Sequence, residues 1–113
     1  MTYTFKIDGR IKPKERPRRA RNGHFYTPIA TIKSEAIIDQ TARQGGLKGI
    51  PGPLAIEARF FGNYATSDLD NLIKTLLDGC QHFFNDRNVV AIRAFKEQNK
   101  EHWTEVKITE IFT

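Results

Sequence analysis

The sequence has only one cysteine, Cys80, and no long hydrophobic run. A single cysteine cannot form an intramolecular disulfide, which excludes a disulfide-stapled scaffold and favours a reducing, cytoplasmic setting. The longest apolar stretches are a few residues long, too short to cross a membrane. The N-terminus lacks a basic flank followed by an apolar core, which argues against a secretory signal. We therefore expect a cytoplasmic protein with no membrane partner.

Acidic residues are scarce in one stretch of the chain, from Arg10 to Arg21. Seven residues there are basic and only Glu15 is acidic, so the stretch accounts for all of the net charge of +5. Pro13 and Pro17 exclude a regular helix or an interior strand. We expect residues 10–27 to form an extended loop, here called the basic arm, with a short strand around Phe25. Charge concentrated in this way is typical of a surface that binds nucleic acid.

Hydrophobic periodicity predicts four strands and two helices. The strands cover Tyr3 to Ile7, Leu54 to Phe61, Arg87 to Phe95 and Trp103 to Ile111. The first helix runs from Pro28 to about Arg43, ends at Gly45-Gly46 and has an apolar stripe of Ile29, Ile32, Ala36 and Ile37. The second runs from about Asn71 to Phe83 and buries Leu72, Ile73, Leu76, Leu77 and Cys80. The order β-loop-α-β-α-β-β predicts a single α/β (α+β-like) domain over residues 1–113, with two main helices on a mixed four-stranded sheet.

Two aspartates, Asp68 and Asp70, precede the second predicted helix. In an extended segment, side chains two residues apart point to the same side. Two converging carboxylates suit a hard cation such as Mg²⁺, which can activate water and offset charge on a phosphodiester. Lys74 lies one helical turn after Asp70, within reach of the same phosphate. The alternative is structural, because Ser67, Asp68 and Asp70 are good helix caps and acids at a helix start favour the macrodipole.

Two short stretches carry a more specific signal. They are Asp68-Leu69-Asp70-Asn71-Leu72-Ile73-Lys74, followed by Leu77-Asp78, and Phe83-Phe84-Asn85-Asp86-Arg87-Asn88-Val89-Val90. They resemble the two motifs of the RusA family of Holliday-junction resolvases. The order of elements, the chain length and the basic N-terminal region are also similar, so the resemblance covers nearly the whole chain.

The resemblance implies a crossover junction endodeoxyribonuclease, bacterial or phage-encoded, that acts as a homodimer. It implies that Mg²⁺, with Mn²⁺ as a substitute, is the cofactor and that four-way junctions are cut symmetrically. The metal ligands and catalytic residues that it implies are Asp68, Asp70 and Asp86, with Lys74 also catalytic and Asn71 and Asp78 in support. One departure is Asn85-Asp86, because many members carry two adjacent acids there; Asp86 matches the second of them.

The position of Asp86 leaves two arrangements open. A helix from Asn71 to Phe83 would be about 20 Å long at 1.5 Å per residue. Asp70 lies at its start and Asp86 beyond its end, too far apart to share an ion if the chain continues straight. Either the segment after Gly79 folds back, or Asp86 completes the site of the partner subunit in a two-fold dimer.

The basic arm is expected to contact DNA phosphates without reading sequence. Its candidate contacts are Lys12, Lys14, Arg16, Arg18, Arg19 and Arg21; the alternative is a solvated, flexible arm. Two other functions remain open. One is a nuclease that acts on flaps or other branched DNA, and the other is a non-catalytic nucleic-acid-binding protein whose acids only cap a helix.

Overall fold

The computed structural model describes residues 1–15, 18–26 and 28–111, and of Arg18 the backbone only. In chain order the elements are β1 (Thr2–Asp8), β2 (Arg18–Arg19), β3 (Phe25–Tyr26), α1 (Ile29–Gln44), β4 (Leu54–Gly62), α2 (Leu69–Gly79), a 3₁₀ turn (Asp86–Asn88), β5 (Val89–Gln98) and β6 (Trp103–Glu110). The predicted order of strands and helices is confirmed. No helix within the described ranges is long and apolar enough to span a membrane.

Four strands form one mixed sheet in the order β1-β6-β4-β5. Strand β6 is antiparallel to both of its neighbours, with Val106 opposite Phe5 on β1 and opposite Ala58 on β4. Strand β5 runs parallel to β4, and α2 forms the crossover between them. Strands β2 and β3 form a separate two-stranded hairpin within the basic arm. The mixed four-stranded sheet predicted from the sequence is confirmed.

The core lies between this sheet and the two helices. Along β4 every second residue is buried, as the period of a strand with one covered face requires. The buried residues are Leu54, Ile56, Ala58, Phe60 and Gly62, of which the first four are hydrophobic. These four join one hydrophobic cluster with Ile38 and Ala42 of α1 and Leu72 and Leu76 of α2. Both helices therefore cover the same face of the sheet.

The opposite face of the sheet carries charges and aromatic rings. The Arg59 guanidinium donates to Glu97 at 2.8 Å and lies over the Phe95 ring at 4.3 Å from its centroid. The rings of Phe61 and Trp103 are stacked, with their centroids 4.3 Å apart. This face of the sheet is thus lined by paired charges and stacked aromatic rings, whereas the other face is covered by helices.

The apolar stripe predicted for α1 is wrong. Its predicted members Ile29, Ile32, Ala36 and Ile37 are exposed, whereas the buried residues of α1 are Thr31, Ile38 and Ala42. The isoleucines of this helix occur on several of its faces, so hydrophobic periodicity alone does not identify the buried face. The contact with α2 selects it, because Gly79 has no side chain and leaves room for Ile38. A Cβ atom added at Gly79 would lie 2.6 Å from the Cβ of Ile38.

Helix α2 begins two residues earlier and ends four residues earlier than predicted. Its buried residues are Leu72, Thr75, Leu76 and Gly79, while Ile73 and Leu77 are only partly buried. The chain leaves the helix at Cys80, which is buried in the core as predicted. The early start matters for function because it places Asp70 inside the helix rather than before it.

Candidate active site

The two neighbouring aspartates lie at the N-terminal end of α2. Asp68 is the N-cap residue with an extended backbone, and its carbonyl oxygen accepts from the Asn71 and Leu72 N–H groups at 3.1 and 3.2 Å. Its carboxylate makes no capping hydrogen bond, and Asp70 follows in the first helical turn. Both residues are exposed. The argument that an extended segment aligns the two side chains is therefore wrong, because the helix already begins at Leu69.

The missing side-chain capping hydrogen bond bears on the alternative that Asp68 only caps the helix. An aspartate that serves only as a cap accepts a hydrogen bond from a backbone N–H in the first turn through its side chain. The Asp68 carboxylate instead lies 3.5 Å from the Asn71 side-chain amide, which is too long for a strong hydrogen bond. The carboxylate oxygens of Asp68 thus remain accessible for another ligand.

Lys74 lies in α2 four residues after Asp70. Residues at this spacing are neighbours on one helical face, with Cβ atoms about 5–6 Å apart. The Lys74 side chain is exposed and forms no ion pair with the described residues. One face at the start of α2 therefore presents a carboxylate and an ammonium group to solvent, next to Asp68.

A lysine from β5 fixes the loop that leads to this site. The Lys96 ammonium donates to the carbonyl oxygens of Ser67, at 2.9 Å, and Tyr64, at 3.3 Å. The sequence analysis missed this residue. The available signal was a lysine on the side of β5 that otherwise carries Val90, Ile92 and Ala94. Lys96 thereby places Asp68 close to the C-terminal end of β5.

The first part of the basic arm is fixed in place between the two helices. The Ile11 N–H donates to the Tyr64 hydroxyl at 2.8 Å, and the Lys12 N–H to the Ser34 hydroxyl at 3.1 Å. The Thr75 hydroxyl donates to the Lys12 carbonyl oxygen at 2.8 Å. These bonds, together with one from the Lys14 N–H to the Asn71 carbonyl oxygen at 2.9 Å, hold the arm beside the start of α2. A wholly flexible arm is thus excluded for residues 11–14.

Lys14 has an internal role that its place in a charged run does not predict. Its ammonium group lies 2.9 Å from Glu35 of α1 and 3.0 Å from Asp78 of α2. Partial burial alone would lower the pKa of Lys14, but hydrogen bonds and charges of the two carboxylates outweigh it and raise the pKa. Lys14 therefore joins the arm to both helices, and Asp78 lies in this ion pair rather than beside Asp70.

The other predicted DNA contacts are distributed along the arm. Lys12, Arg19 and Arg21 have exposed side chains. Arg16 lies outside the described residues, and Arg18 contributes its backbone to β2 while its side chain is not described. The exposed cations are therefore available to a polyanion on the side of the arm that faces solvent.

Asp86 lies at the other end of α2. It begins the 3₁₀ turn before β5, and partial burial raises the pKa of its carboxyl group, with a further contribution from the negative charge of Asp78. Asp78 lies in the last turn of α2, so Asp70 and Asp78 are about 12 Å apart along the axis at 1.5 Å per residue. Within the described ranges, no three His, Cys, Asp or Glu residues group as a metal site would require. One subunit thus brings Asp68 and Asp70 together but leaves Asp86 apart.

Comparison with models of known protein families finds a match. The model of the family described as Endodeoxyribonuclease RusA matches residues 8–109 of the 113-residue chain. No curated protein matches the chain. The matched region contains β4, β5 and all of β6 except its last residue, but of β1 only Asp8. It also contains both helices, the basic arm and every predicted site residue.

Proposed function

The chain belongs to the RusA family of endodeoxyribonucleases, and we propose that it is a Mg²⁺-dependent homodimeric nuclease that resolves four-way DNA junctions by symmetric hydrolysis. The observation that carries this proposal is the exposed group of Asp68, Asp70 and Lys74 at the start of α2, beside the anchored basic arm. Exposed carboxylates next to a cationic surface are what a metal-assisted phosphodiester hydrolysis requires.

The donor atoms at the start of α2 suit the proposed metal. Mg²⁺ prefers oxygen ligands, keeps several waters and is commonly held by one or two carboxylates together with phosphate oxygens. Asp68 and Asp70 supply two exposed carboxylates, and Asp86 would supply the third. When bound, the ion would supply Lewis-acid chemistry, polarising the phosphodiester and lowering the pKa of water.

Other groups of the chain would act on the scissile phosphate directly. Lys74, one turn from Asp70, would stabilise the negative charge that develops on the phosphate oxygens or on the leaving group. The N-terminal end of α2 adds a positive potential at the same place. Asn71 would support the site by keeping its amide near the Asp68 carboxylate.

The basic arm would hold the DNA branches through phosphate contacts. Lys12 is held beside α2 by its backbone while its side chain remains exposed, so it would place a positive charge near the site. Arg19 and Arg21 would extend this surface along the hairpin. We propose that the main role of Lys14 is to stabilise the fold rather than to bind DNA, because a contact with DNA would break its two ion pairs.

A panel of substrates tests this function. A synthetic four-way junction, a flapped duplex and a linear duplex of matched sequence are incubated with the protein in Mg²⁺, and the nicks are mapped on each strand. We expect paired nicks at symmetry-related positions of the junction and little cleavage of the linear duplex. Preference for the flap would assign a different branched substrate. Binding without cleavage in Mg²⁺ and in Mn²⁺ would overturn the nuclease proposal and leave a DNA-binding protein.

A further inference from the structure

The hairpin of strands β2 and β3 has a turn that sets its register. The Gly23 N–H donates to the Ala20 carbonyl oxygen at 2.9 Å, and the Ala20 N–H donates to the His24 carbonyl oxygen at 2.7 Å. Gly23 has a φ of 86°, as a three-residue hairpin loop that ends in a bulge requires. In this register Arg19 lies opposite Phe25. Residues directly opposite each other lie on the same face of a strand pair, so Phe25 and Arg19 share one face of the hairpin.

The Phe25 ring is open to solvent. It is 72% exposed, the highest value among the large hydrophobic side chains that the structure describes. On the outer face of the main sheet, by contrast, Phe61 and Trp103 stack on each other and Phe95 lies under a guanidinium group. As far as the described residues go, no ring stacks on Phe25 and no cation lies over it. Its flat surface is therefore available to a partner from outside the chain.

The charge around this ring indicates the class of partner. No acidic residue occurs between Glu15 and Glu35, whereas the hairpin contains Arg18, Arg19 and Arg21. The side chains of Arg19 and Arg21 are exposed and form no ion pair in the part of the chain that the structure describes. An open ring beside unpaired cations fits a strand of nucleic acid, which carries flat bases and negative phosphates next to one another.

The hairpin begins close to the candidate active site. The Lys14 N–H donates to the carbonyl oxygen of Asn71 in the first turn of α2. Strand β2 begins four residues later, at Arg18. Four residues span at most about 14 Å, and about four base pairs of duplex DNA cover the same distance at 3.4 Å each. The foot of the hairpin and the start of α2 can therefore contact DNA within a few base pairs of each other.

We propose that Phe25 stacks on a base exposed at the branch point of the DNA, while Arg19 and Arg21 contact phosphates of the same strand. This inference rests on the proposed function and adds a subsite to it. Inside a continuous duplex both faces of each base are covered by its neighbours, whereas a branch point interrupts the stack. Stacking on an aromatic ring tolerates any base. The hairpin thus selects branched DNA by its structure rather than by its sequence.

Fluorescence anisotropy tests the subsite with a labelled four-way junction and a linear duplex of matched sequence, in EDTA so that no metal-dependent cleavage occurs. Phe25→Ala should weaken junction binding by roughly 5–140-fold, the loss expected for one stacked base, and leave duplex binding unchanged. Ile29→Ala is the matched control, because Ile29 is a similarly exposed apolar residue, 69%, at the start of α1. It should bind both DNAs as wild type does. An equal loss on both DNAs, or no loss on the junction, would overturn the proposal.

Two further substitutions separate stacking from general apolar contact. Phe25→Trp keeps a flat ring and should bind the junction at least as tightly as wild type, whereas Phe25→Leu should bind it as weakly as Phe25→Ala. Wild-type binding by Phe25→Leu would contradict stacking. Arg19→Ala should instead weaken binding to both DNAs and reduce the slope of affinity against salt by about one phosphate contact. An unchanged slope would remove Arg19 from the subsite.

The mass of the protein in solution tests whether a second copy covers the ring instead. Light scattering should give the same mass for Phe25→Ala, Ile29→Ala and wild type. A lower mass for Phe25→Ala alone would place Phe25 at an interface between copies and overturn the proposal.

These measurements also separate the subsite from the activity. If Phe25 is needed for junction binding but the protein cleaves no DNA in Mg²⁺ or Mn²⁺, the proposed function fails and the subsite stands. If the protein cleaves junctions and Phe25→Leu binds them as wild type does, the subsite fails and the proposed function stands.

Discussion

The Tyr64 hydroxyl anchors the start of the basic arm, and its removal in Tyr64→Phe should destabilise the fold measurably. Tyr64 is 1% exposed, and its oxygen accepts the Ile11 N–H at 2.8 Å. Ile11 is 2% exposed, so without the hydroxyl its N–H has no water to replace the bond. A buried donor left unpaired costs about 1–3 kcal/mol. For a domain of this size that corresponds to a fall in Tm of roughly 4–12 °C.

Thermal unfolding followed by circular dichroism measures this effect directly. Tyr26→Phe is the matched control, because Tyr26 is 48% exposed and its Tm should stay at the wild-type value. The same loss should loosen the arm, so proteolysis between Arg10 and Arg21 should be faster in Tyr64→Phe. A Tm equal to that of the control would refute the reasoning, since it would mean that the Ile11 N–H finds another partner.

Three further predictions concern the site and the core. When Asp70→Ala and Asp86→Ala subunits are mixed, about a quarter of the wild-type number of intact active sites should return, because half of the dimers are mixed and one of the two shared sites in each mixed dimer is intact. If no nicking activity returns, all three aspartates of a site belong to one chain. Gly79→Ala should lower the free energy of unfolding by about 1–3 kcal/mol in urea titration, because the new Cβ would lie 2.6 Å from the Ile38 side chain; an unchanged midpoint would mean that α1 moves freely. Burial raises the pKa of the Cys80 thiol to about 12, so the folded protein should resist a thiol reagent at pH 8 and react only when unfolded; rapid labelling of the folded protein would contradict this burial.

The sequence predicted the sheet and the order of elements because their signals are local. Strand β4 alternates strictly between buried and partly exposed residues, and this alternation is legible without any tertiary information. The buried face of α1 was not predictable in the same way. Isoleucines occur on several of its faces, and the choice among them depends on Gly79, more than thirty residues further along the chain.

The site was predicted from motifs, and the structure adds two features of it that the sequence did not predict, each with a physical cause. The first turn of α2 takes in Asp70, since acids at a helix start are stabilised by the macrodipole, so an extended pair was the wrong geometry. Lys14 was assigned to DNA because it stands in a basic run. Its partners, Glu35 and Asp78, lie 21 and 64 residues away in sequence, and only the packing of the arm between the helices brings them together.

The most direct test of the central claim is junction cleavage by Asp70→Asn with and without Mg²⁺. Asp8→Asn is the matched control, because Asp8 on β1 is an aspartate that is 90% exposed and lies 3.8 Å from Lys6. We predict that Asp70→Asn still binds the junction but nicks it more slowly than wild type. Loss of an outer-shell partner of a metal costs roughly 10–100-fold in activity, and the loss of a direct ligand should lower the nicking rate by more than that. Asp8→Asn should nick the junction at the wild-type rate, and both proteins should do so only with Mg²⁺. Full nicking by Asp70→Asn, or nicking after the metal is removed by a chelator, would contradict the assignment of a metal-dependent site to the start of α2.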